Sequence, residues 1–298
     1  MNTPTPLILN PSARRGRAGR RAQAIRDAFS SCGIETEIHV SNAAGNIAAI
    51  SEQLALADAT RIIVAGGDGS VNEALNGVMA SGRTIALGLV PTGTGNDFAK
   101  ACGIDPDWQR AAVALADRMA ANVEPTAVDA GRCNEKYFCN GVGIGFDAVV
   151  TRHASNVRLP IGDLVYVVGL IRALAEGVVT PELEVAADSF SYVGRATLAN
   201  IANGPWLGGQ FNIAPSASNT DGLLDLVLAE PVSRFRAASL VSPLQKGEHL
   251  DEPEVQHAHV KTVTVTSKEP IPSHLDGEVQ PPTARFEIEV LPGALRLL

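Results

Sequence analysis

RIIVAGGDGSVNEALNGV, residues 61–78, decides the architecture. Arg61–Ala65 is a short apolar run of strand length, and the residues from Ser70 onward carry a helical pattern, so the segment reads as strand, tight turn, helix. Glycines at 66, 67 and 69 let the backbone of that turn come close to an anion. The N–H groups of the turn and of the helix start then point at the anion with the positive end of the helix dipole. No lysine follows, which excludes a Walker A loop. Ser70 and Glu73 also fit a helix capping box, and Asp68 fits a turn, roles that need no ligand.

Outward from this segment the same alternation repeats. Pro6–Asn10, Glu35–Val40 and Ile85–Val90 are further apolar runs. Ala22, Ile25, Phe29 and Cys32 recur at helical spacing and stop at Gly33, a natural C-terminal glycine. Strands alternating with helices predict a parallel sheet covered on its faces. The strand ending at Val90 runs into a second glycine-rich turn, PTGTGNDFAK, residues 91–100. Ligands of open parallel sheets collect at the carboxyl ends of the strands, so Gly66–Asn72 and Gly93–Asp97 are placed to grip one nucleotide. Thr94 either donates its hydroxyl to a phosphate oxygen or steadies the turn.

After an Ala-rich helix around 111–121 and the break at Pro125 the pattern changes, which sets domains of 1–124 and 125–298. Val263 and Val265 alternate with threonines, and Phe286, Ile288 and Val290 alternate with charged residues, as half-buried antiparallel strands do. The second domain is therefore expected to be mainly β, with one helical insertion at Asp163–Glu176 that carries Leu164, Val168, Ile171 and Ala175 on one face.

Composition removes several classes of function. A chain of 298 residues with 45% hydrophobic content supplies a substantial core, and a net charge of −8 argues against nucleic acid. The local exception is Arg14, Arg15, Arg17, Arg20 and Arg21, which either meet a phosphate or anionic headgroups or form a solvated loop and helix start. Four cysteines without CxxC spacing suit a reducing, cytoplasmic setting. The start, MNTPTPLILNP, fits neither signal peptide nor anchor. Ile161–Ala175 is too short to span a bilayer and contains Asp163 and Arg172, so membrane contact is expected to be peripheral.

Four motifs in order, GGDGSVNEALNGV (66–78), VPTGTGNDFAK (90–100), FNIAPSASNTDGLLDL (211–226) and HLDGEV (274–279), resemble the diacylglycerol kinase catalytic family, and most closely its bacterial soluble lipid kinases. The likeness runs from NPSARRG at Asn10 to the terminal LPGALRLL. It implies a Rossmann-like parallel-sheet nucleotide-binding domain and a C-terminal β-sandwich for the lipid. The last residues are expected to pack back on the first domain, with the active site in the interdomain cleft.

ATP and Mg2+ are the implied cofactors, and a membrane-surface lipid is the implied partner; homodimerisation is left open. Carried over by position, Ser41, Gly66, Gly67, Asp68, Gly69, Ser70, Val71, Asn72 and Thr94 contact the nucleotide. Ser41 and Ser70 stand where relatives often have threonine, a change that keeps the hydroxyl.

Asp276 and Glu278 supply the catalytic carboxylates, with Glu278 as base and Asp68 near the magnesium-bound phosphates; in the related sphingosine kinases the position of Asp68 is given the base's role. Asp221, with the carbonyls of Ser218 and Leu223, matches a second magnesium position of structural type. For both LDGE and Asp221 the competing reading is a plain tight turn. The insertion at Asp163–Glu176 covers acyl chains, rests on a bilayer, or, the more frequent use of such a stripe, packs on the core.

An NAD kinase, which shares the fold and the GGDG turn, is the enzymatic rival, with phosphofructokinase more distant. A sensor without catalysis is the rival of another class, and the presence of Asp68, Asp276 and Glu278 together argues against it. The acceptor stays open among diacylglycerol, phosphatidylglycerol, sphingoid bases, monoacylglycerols and isoprenoid alcohols.

Overall fold

The computed structural model describes residues 3–11, 18–157, 162 and 164–298, with the side chains of 18–20 excluded. Arg14, Arg15, Arg17, Ile161, Asp163 and the side chain of Arg20 thus lie outside the described residues. The chain forms two compact units, one running to Asp129 and taking in Gly293–Leu298, the other covering Ala130–Pro292.

The first unit is built on strands β1 (Thr5–Leu9), β2 (Thr36–Val40), β3 (Arg61–Gly66) and β4 (Ala86–Pro91). They lie in the order β2-β1-β3-β4 and are all parallel, with Leu7 opposite both Ile38 and Ile63, and Ile63 opposite Gly88. Helices α1 (Ala18–Ser31), α2 (Asn46–Leu56), α3 (Asp68–Ser81), the short α4 (Asp97–Ala101) and α5 (Trp108–Ala120) connect them. Alternation sorts the strand residues between two faces. Leu7, Leu9, Ile63 and Ala65 pack with Ile25, Phe29 and Leu115 of α1 and α5. The alternate residues Ile8, Ile62 and Val64, all buried, point to the side where α2 and α3 pack. Each such side chain removed from water contributes about 1.5–3 kcal/mol.

The second unit comprises β5 (Thr126–Cys133, entering from the first unit), β6 (Lys136–Phe138), β7 (Gly141–Gly145), α6 (Phe146–Ser155), α7 (Leu164–Glu176), β8 (Glu182–Ala187), β9 (Ser191–Arg195), β10 (Leu198–Ala202), β11 (Trp206–Leu207), β12 (Phe211–Asn212), β13 (Leu224–Ala229), α8 (Arg234–Ser239), α9 (Val241–Lys246), β14 (Val255–Val260), β15 (Thr262–Leu275) and β16 (Glu278–Leu297). Its pairings are antiparallel along β14-β13-β10-β7-β15 and along β9-β8-β15-β16.

The long strand β15 belongs to both layers: Val263–Ser267 pair with β8, and after an irregularity between Thr266 and Ile271 the residues Ser273–Leu275 pair with β7. A strand that changes partners at a bulge is how a sandwich turns its corner. Phe138, Ile144, Ile201, Leu226, Val265 and Phe286 fill the space between. β16 leaves this unit at Pro292, and within the first unit its Arg296 and Leu297 pair with Ala86 and Leu87 of β4.

Three local expectations are corrected. Ser70 and Glu73 do not form a capping box, because α3 starts at Asp68 with Gly67 as its N-cap and no side-chain cap. Glu73 instead accepts the N–H of Ile47 at 3.0 Å, at the start of α2. The second unit holds four α-helices among its described residues rather than one insertion. On α7, moreover, the residues turned inward are the small Gly169 and Ala173, while Leu164 and Ile171 of the anticipated apolar stripe are 53% and 62% exposed. No helix among the described residues is long and apolar enough to cross a membrane.

Candidate active site

In the first unit the sequence-selected residues line the carboxyl edge of the parallel sheet. Ser41 follows β2, Asn10 follows β1, Gly67 follows β3 and Thr92–Thr94 follow β4. The two glycine turns touch: a Cβ built on Gly93 would lie 2.3 Å from the Cα of Gly67, and one on Gly67 would lie 2.9 Å from the Cα of Gly93. No other residue fits at either position without parting the backbones.

Asn96, in the left-handed conformation at φ 52°, locks the second turn. Its Oδ1 accepts from Gly93 N at 3.0 Å and its Nδ2 donates to Gly93 O at 3.2 Å. Asp68 ties the turns together from the other side, its Oδ1 accepting the N–H of Phe98 at 3.1 Å.

Ser70 is buried and its hydroxyl accepts from Asn10 Nδ2 at 2.9 Å, which links the β1 end to the GGDG turn. Val71 is buried in the core and can serve a ligand only through its backbone. Gly67, Asp68, Gly69, Asn72 and Thr94 are partly open to solvent. Ser41 is 6% exposed and donates to Ala43 O at 3.1 Å, a local role. Thr92, absent from the sequence-based set, is buried beside the turn, its hydroxyl without a hydrogen-bond partner among the described residues. Arg21 stacks over the Trp108 ring, its guanidinium carbon 5.2 Å from the ring centroid, a cation–π contact within the fold.

In the second unit Asp276 and Gly277, with φ of 48° and 82°, form the two-residue turn of the β15–β16 hairpin, which pairs Leu275 with Glu278. Positive φ at both central residues is the type I′ geometry that Asp-Gly favours. The Asp276 carboxylate accepts three backbone N–H groups, from Cys139 at 2.7 Å, Asn140 at 2.8 Å and Gly141 at 2.9 Å. It clamps the hairpin onto the start of β7. Glu278 is exposed at the first position of β16.

The same hairpin shapes a polar cluster that motif reading missed. His274 is buried, its Nδ1 accepts from Gly277 N at 3.3 Å, and its Nε2 lies 3.6 Å from Asp147 Oδ2. Asn200 donates to that same Oδ2 at 3.1 Å, whereas Asp147 Oδ1 is buried without a partner among the described residues. Asp147 faces an otherwise largely apolar cavity of about 120 Å³ walled by Phe146 and Val150 of α6, Tyr166 and Leu170 of α7, Leu198 of β10, and Leu240 and Leu244 at α8–α9. The available signal was an aspartate in the first turn of a helix, directly after the apolar run GVGIGF.

The NTDGLLDL segment carries Asp221, exposed, whose Oδ1 accepts the N–H of Leu223 at 3.0 Å, while the Ser218 hydroxyl meets that of Thr220 at 3.2 Å. Four residues on, burial pushes the Asp225 carboxyl above its usual range; the Ser216 hydroxyl, at 2.8 Å, and His259 pull it back, and the charge of Asp221 adds to the rise. Among the described residues no group of three or more His, Cys, Asp and Glu gathers as a metal cluster. A cation here would rest on one carboxylate, backbone carbonyls and water, the sparse hard-oxygen set that suits magnesium.

The first unit thus carries two touching glycine turns at the carboxyl edge of its parallel sheet, and the second unit carries a largely apolar cavity. Residues 4–128 match the diacylglycerol kinase catalytic domain, and residues 140–298 match the YegS C-terminal NAD kinase beta sandwich-like domain. The chain is similar to diacylglycerol kinases of Mycobacterium tuberculosis, at 32% identity over 80% of this chain and 76% of that one, and of Bacillus subtilis, at 29% over 91% and 88%. Its fold is that of a crystal structure of a diacylglycerol kinase from Bacillus anthracis, with a TM-score of 0.74 at 21% identity, covering 99% of this chain and 96% of that one. The chain belongs to the diacylglycerol kinase family, a family of lipid kinases.

Proposed function

We propose that this protein is an ATP- and Mg2+-dependent lipid kinase that transfers the γ-phosphoryl group to a hydroxyl of a diacylglycerol-like, phosphatidylglycerol-like or sphingoid lipid. The observation that carries this reading over NAD phosphorylation is the cavity of the second unit, apolar on nearly every wall with the Asp147 carboxylate among its lining. A dinucleotide has no apolar tail to fill it, whereas an acyl chain does.

On this reading the nucleotide phosphates lie on the backbone of Gly66–Asn72, where N–H groups and the start of α3 favour negative charge. The Thr94 hydroxyl, with Thr92 close by, donates to phosphate oxygens. Ser41 and Ser70 act one step back, Ser70 through its bond to Asn10. Asp147, with a buried oxygen that has no partner among the described residues, accepts from the polar end of the lipid and orients it.

Glu278 takes the proton of the attacking hydroxyl as the O–P bond forms, and the leaving oxygen departs as ADP. Asp276 positions this base through its clamp on β7. Magnesium, when bound, neutralises charge on the transferring phosphoryl group, and Asp68 is the residue suited to hold it. A second magnesium on Asp221 and the carbonyls of Ser218 and Leu223 is assigned a structural role.

The test is transfer of labelled γ-phosphate from ATP with magnesium to a panel of lipid alcohols in mixed micelles, with NAD run in parallel. A labelled lipid upholds the proposal and names the acceptor; labelled NADP replaces it with NAD kinase activity. Two further outcomes are expected. Filling the cavity with Leu244→Trp lowers kcat/KM for long-chain acceptors by at least ~10-fold but spares short-chain ones, as pocket volume governs fit to alkyl groups. Thermal unfolding of the wild type shifts upward with millimolar magnesium, and that shift is lost in Asp221→Asn.

A further inference from the structure

Val142 and Ile144 of β7 point into the sandwich core, so Gly143 between them faces the other way, toward α6. In the pairing of β15, β7 and β10, His274 and Asn200 stand opposite Gly143 from either side. Residues paired across antiparallel strands share a face, so the three form one row with a glycine at its centre. The missing side chain leaves a slot. Asp147, in the first turn of α6, drops into it, and a Cβ built on Gly143 would overlap both Asp147 Oδ2 and His274 Nε2.

That row is incomplete as a hydrogen-bond network. His274, Asn200 and Asp147 are 1%, 2% and 7% exposed, yet His274 Nε2, Asn200 Oδ1 and Asp147 Oδ1 have no hydrogen-bond partner among the described residues. Buried polar atoms are satisfied as a rule, so three exceptions in one slot call for a cause. The tautomer of His274 is fixed by its other nitrogen. Nδ1 accepts the N–H of Gly277 at 3.3 Å, so the ring proton sits on Nε2, 3.6 Å from Asp147 Oδ2. That separation is just beyond hydrogen-bond length. Contacts of this sort are often long in a ligand-free site and tighten in the complex. One ring thus spans two places, the Asp147 carboxylate on the wall of the cavity and the turn that starts β16 at Glu278.

We propose that His274 is a positioning residue that couples occupancy of the cavity to the Asp276–Gly277 turn. When the polar end of an acceptor occupies Asp147 Oδ1, the carboxylate closes on the Nε2–H of His274, and the ring, through Gly277, fixes the turn that presents Glu278. The proposal rests on the reading of Asp147 as the acceptor's anchor and of Glu278 as the base.

Two substitutions cut the link at opposite ends. Asparagine puts an amide oxygen near the place of Nδ1 but does not reach Asp147, whereas glutamine puts an amide nitrogen near the place of Nε2 and gives up the bond to Gly277. His274→Asn and His274→Gln are each expected to lower kcat by at least ~10-fold with the lipid that the micelle assay labels, and to leave its KM and the ATP affinity within about twofold of wild type. A residue that only braces the turn leaves His274→Asn at wild-type kcat, and one that only orients Asp147 leaves His274→Gln there; either result overturns the coupling. In an Asp147→Asn background the link is already cut, so adding His274→Asn is expected to change kcat by less than ~2-fold. Losses that multiply would mark general damage to the fold and overturn it as well.

A readout without turnover separates this proposal from the kinase reading. In spectra of the wild-type protein with nitrogen-labelled histidine, the His274 signal, assigned by its loss in His274→Gln, is expected to show a protonated Nε2 and a bare Nδ1. Its Nε2–H resonance moves downfield when dioctanoylglycerol, dioctanoyl phosphatidylglycerol or sphingosine is added. The opposite tautomer, or a resonance that none of the three moves, overturns the proposal even in a protein that phosphorylates lipid. A shift in a protein that phosphorylates no lipid upholds the link between cavity and turn and removes only the kinase assignment.

Discussion

Glu278→Gln lowers phosphoryl transfer by ~10³-fold, within the ~10²–10⁴ range that a positioned general base supplies, and leaves ATP affinity within about twofold of wild type. The amide is nearly isosteric with the carboxylate and cannot take a proton, so the variant separates chemistry from binding. Asp276 cannot stand in for it, because its carboxylate is committed to the N–H groups of Cys139, Asn140 and Gly141. The φ values of 48° and 82° at Asp276 and Gly277 set the hairpin, and the hairpin sets where Glu278 begins its strand. Asp276→Asn is therefore a different lesion. An amide can offer only its carbonyl oxygen to three donors, and the misplaced hairpin lowers thermal stability as well as rate. Single-turnover transfer and equilibrium ATP binding on both variants distinguish the two roles. Near wild-type transfer by Glu278→Gln would assign the base elsewhere, with Asp68 the next candidate.

What the sequence disclosed and what it hid follow from how local each signal is. The central parallel strands β3 and β4 were legible because a strand buried on both faces is a continuous apolar run, and RIIVAG and ALGLVP differ from their surroundings in just that way. The glycine turns were legible because the demand for close backbone approach is written into single residues. The polar cluster of Asp147, Asn200 and His274 was not, since it is assembled from α6, β10 and β15, and even its nearest pair is separated by 53 residues. The direction of α7 was hidden for a different reason. Leu164–Glu176 is apolar nearly all round, so periodicity does not reveal which face is buried. Steric fit between Gly169 and α6 decides it, and that contact has no signature in α7 alone. Helices α8 and α9 are six residues each, too short for a periodic pattern, with Pro243 in the second. Ser70 and Glu73 show the reverse error, a correct motif spacing whose partners, Asn10 and Ile47, come from other strands and helices.

Gly93→Ala is expected to cost about 3 kcal/mol of stability and to weaken nucleotide binding at least ~10-fold in the molecules that remain folded, the upper end of what overpacking one methyl group does. The new Cβ would meet the Cα of Gly67 at 2.3 Å, the Oδ1 of Asn96 at 2.7 Å and the nitrogen of Gly67 at 3.1 Å. Two of these three neighbours are backbone atoms and cannot swing aside. Asn96 is no softer, being 6% exposed and bonded to both the nitrogen and the oxygen of Gly93. Relief has to come from parting the two turns, and that motion displaces the N–H groups of Gly67 to Gly69, which the proposed function sets against a nucleotide phosphate. Stability and binding thus fall together from one cause. Gly103→Ala is the matched control. Its φ is +69° but nothing lies within 4 Å of the added Cβ, so it pays only the backbone strain of about 1 kcal/mol and keeps nucleotide affinity. Denaturant unfolding and ATP titration of both variants give the comparison. If Gly93→Ala binds ATP as tightly as Gly103→Ala, the contact between the two turns does not build the nucleotide site.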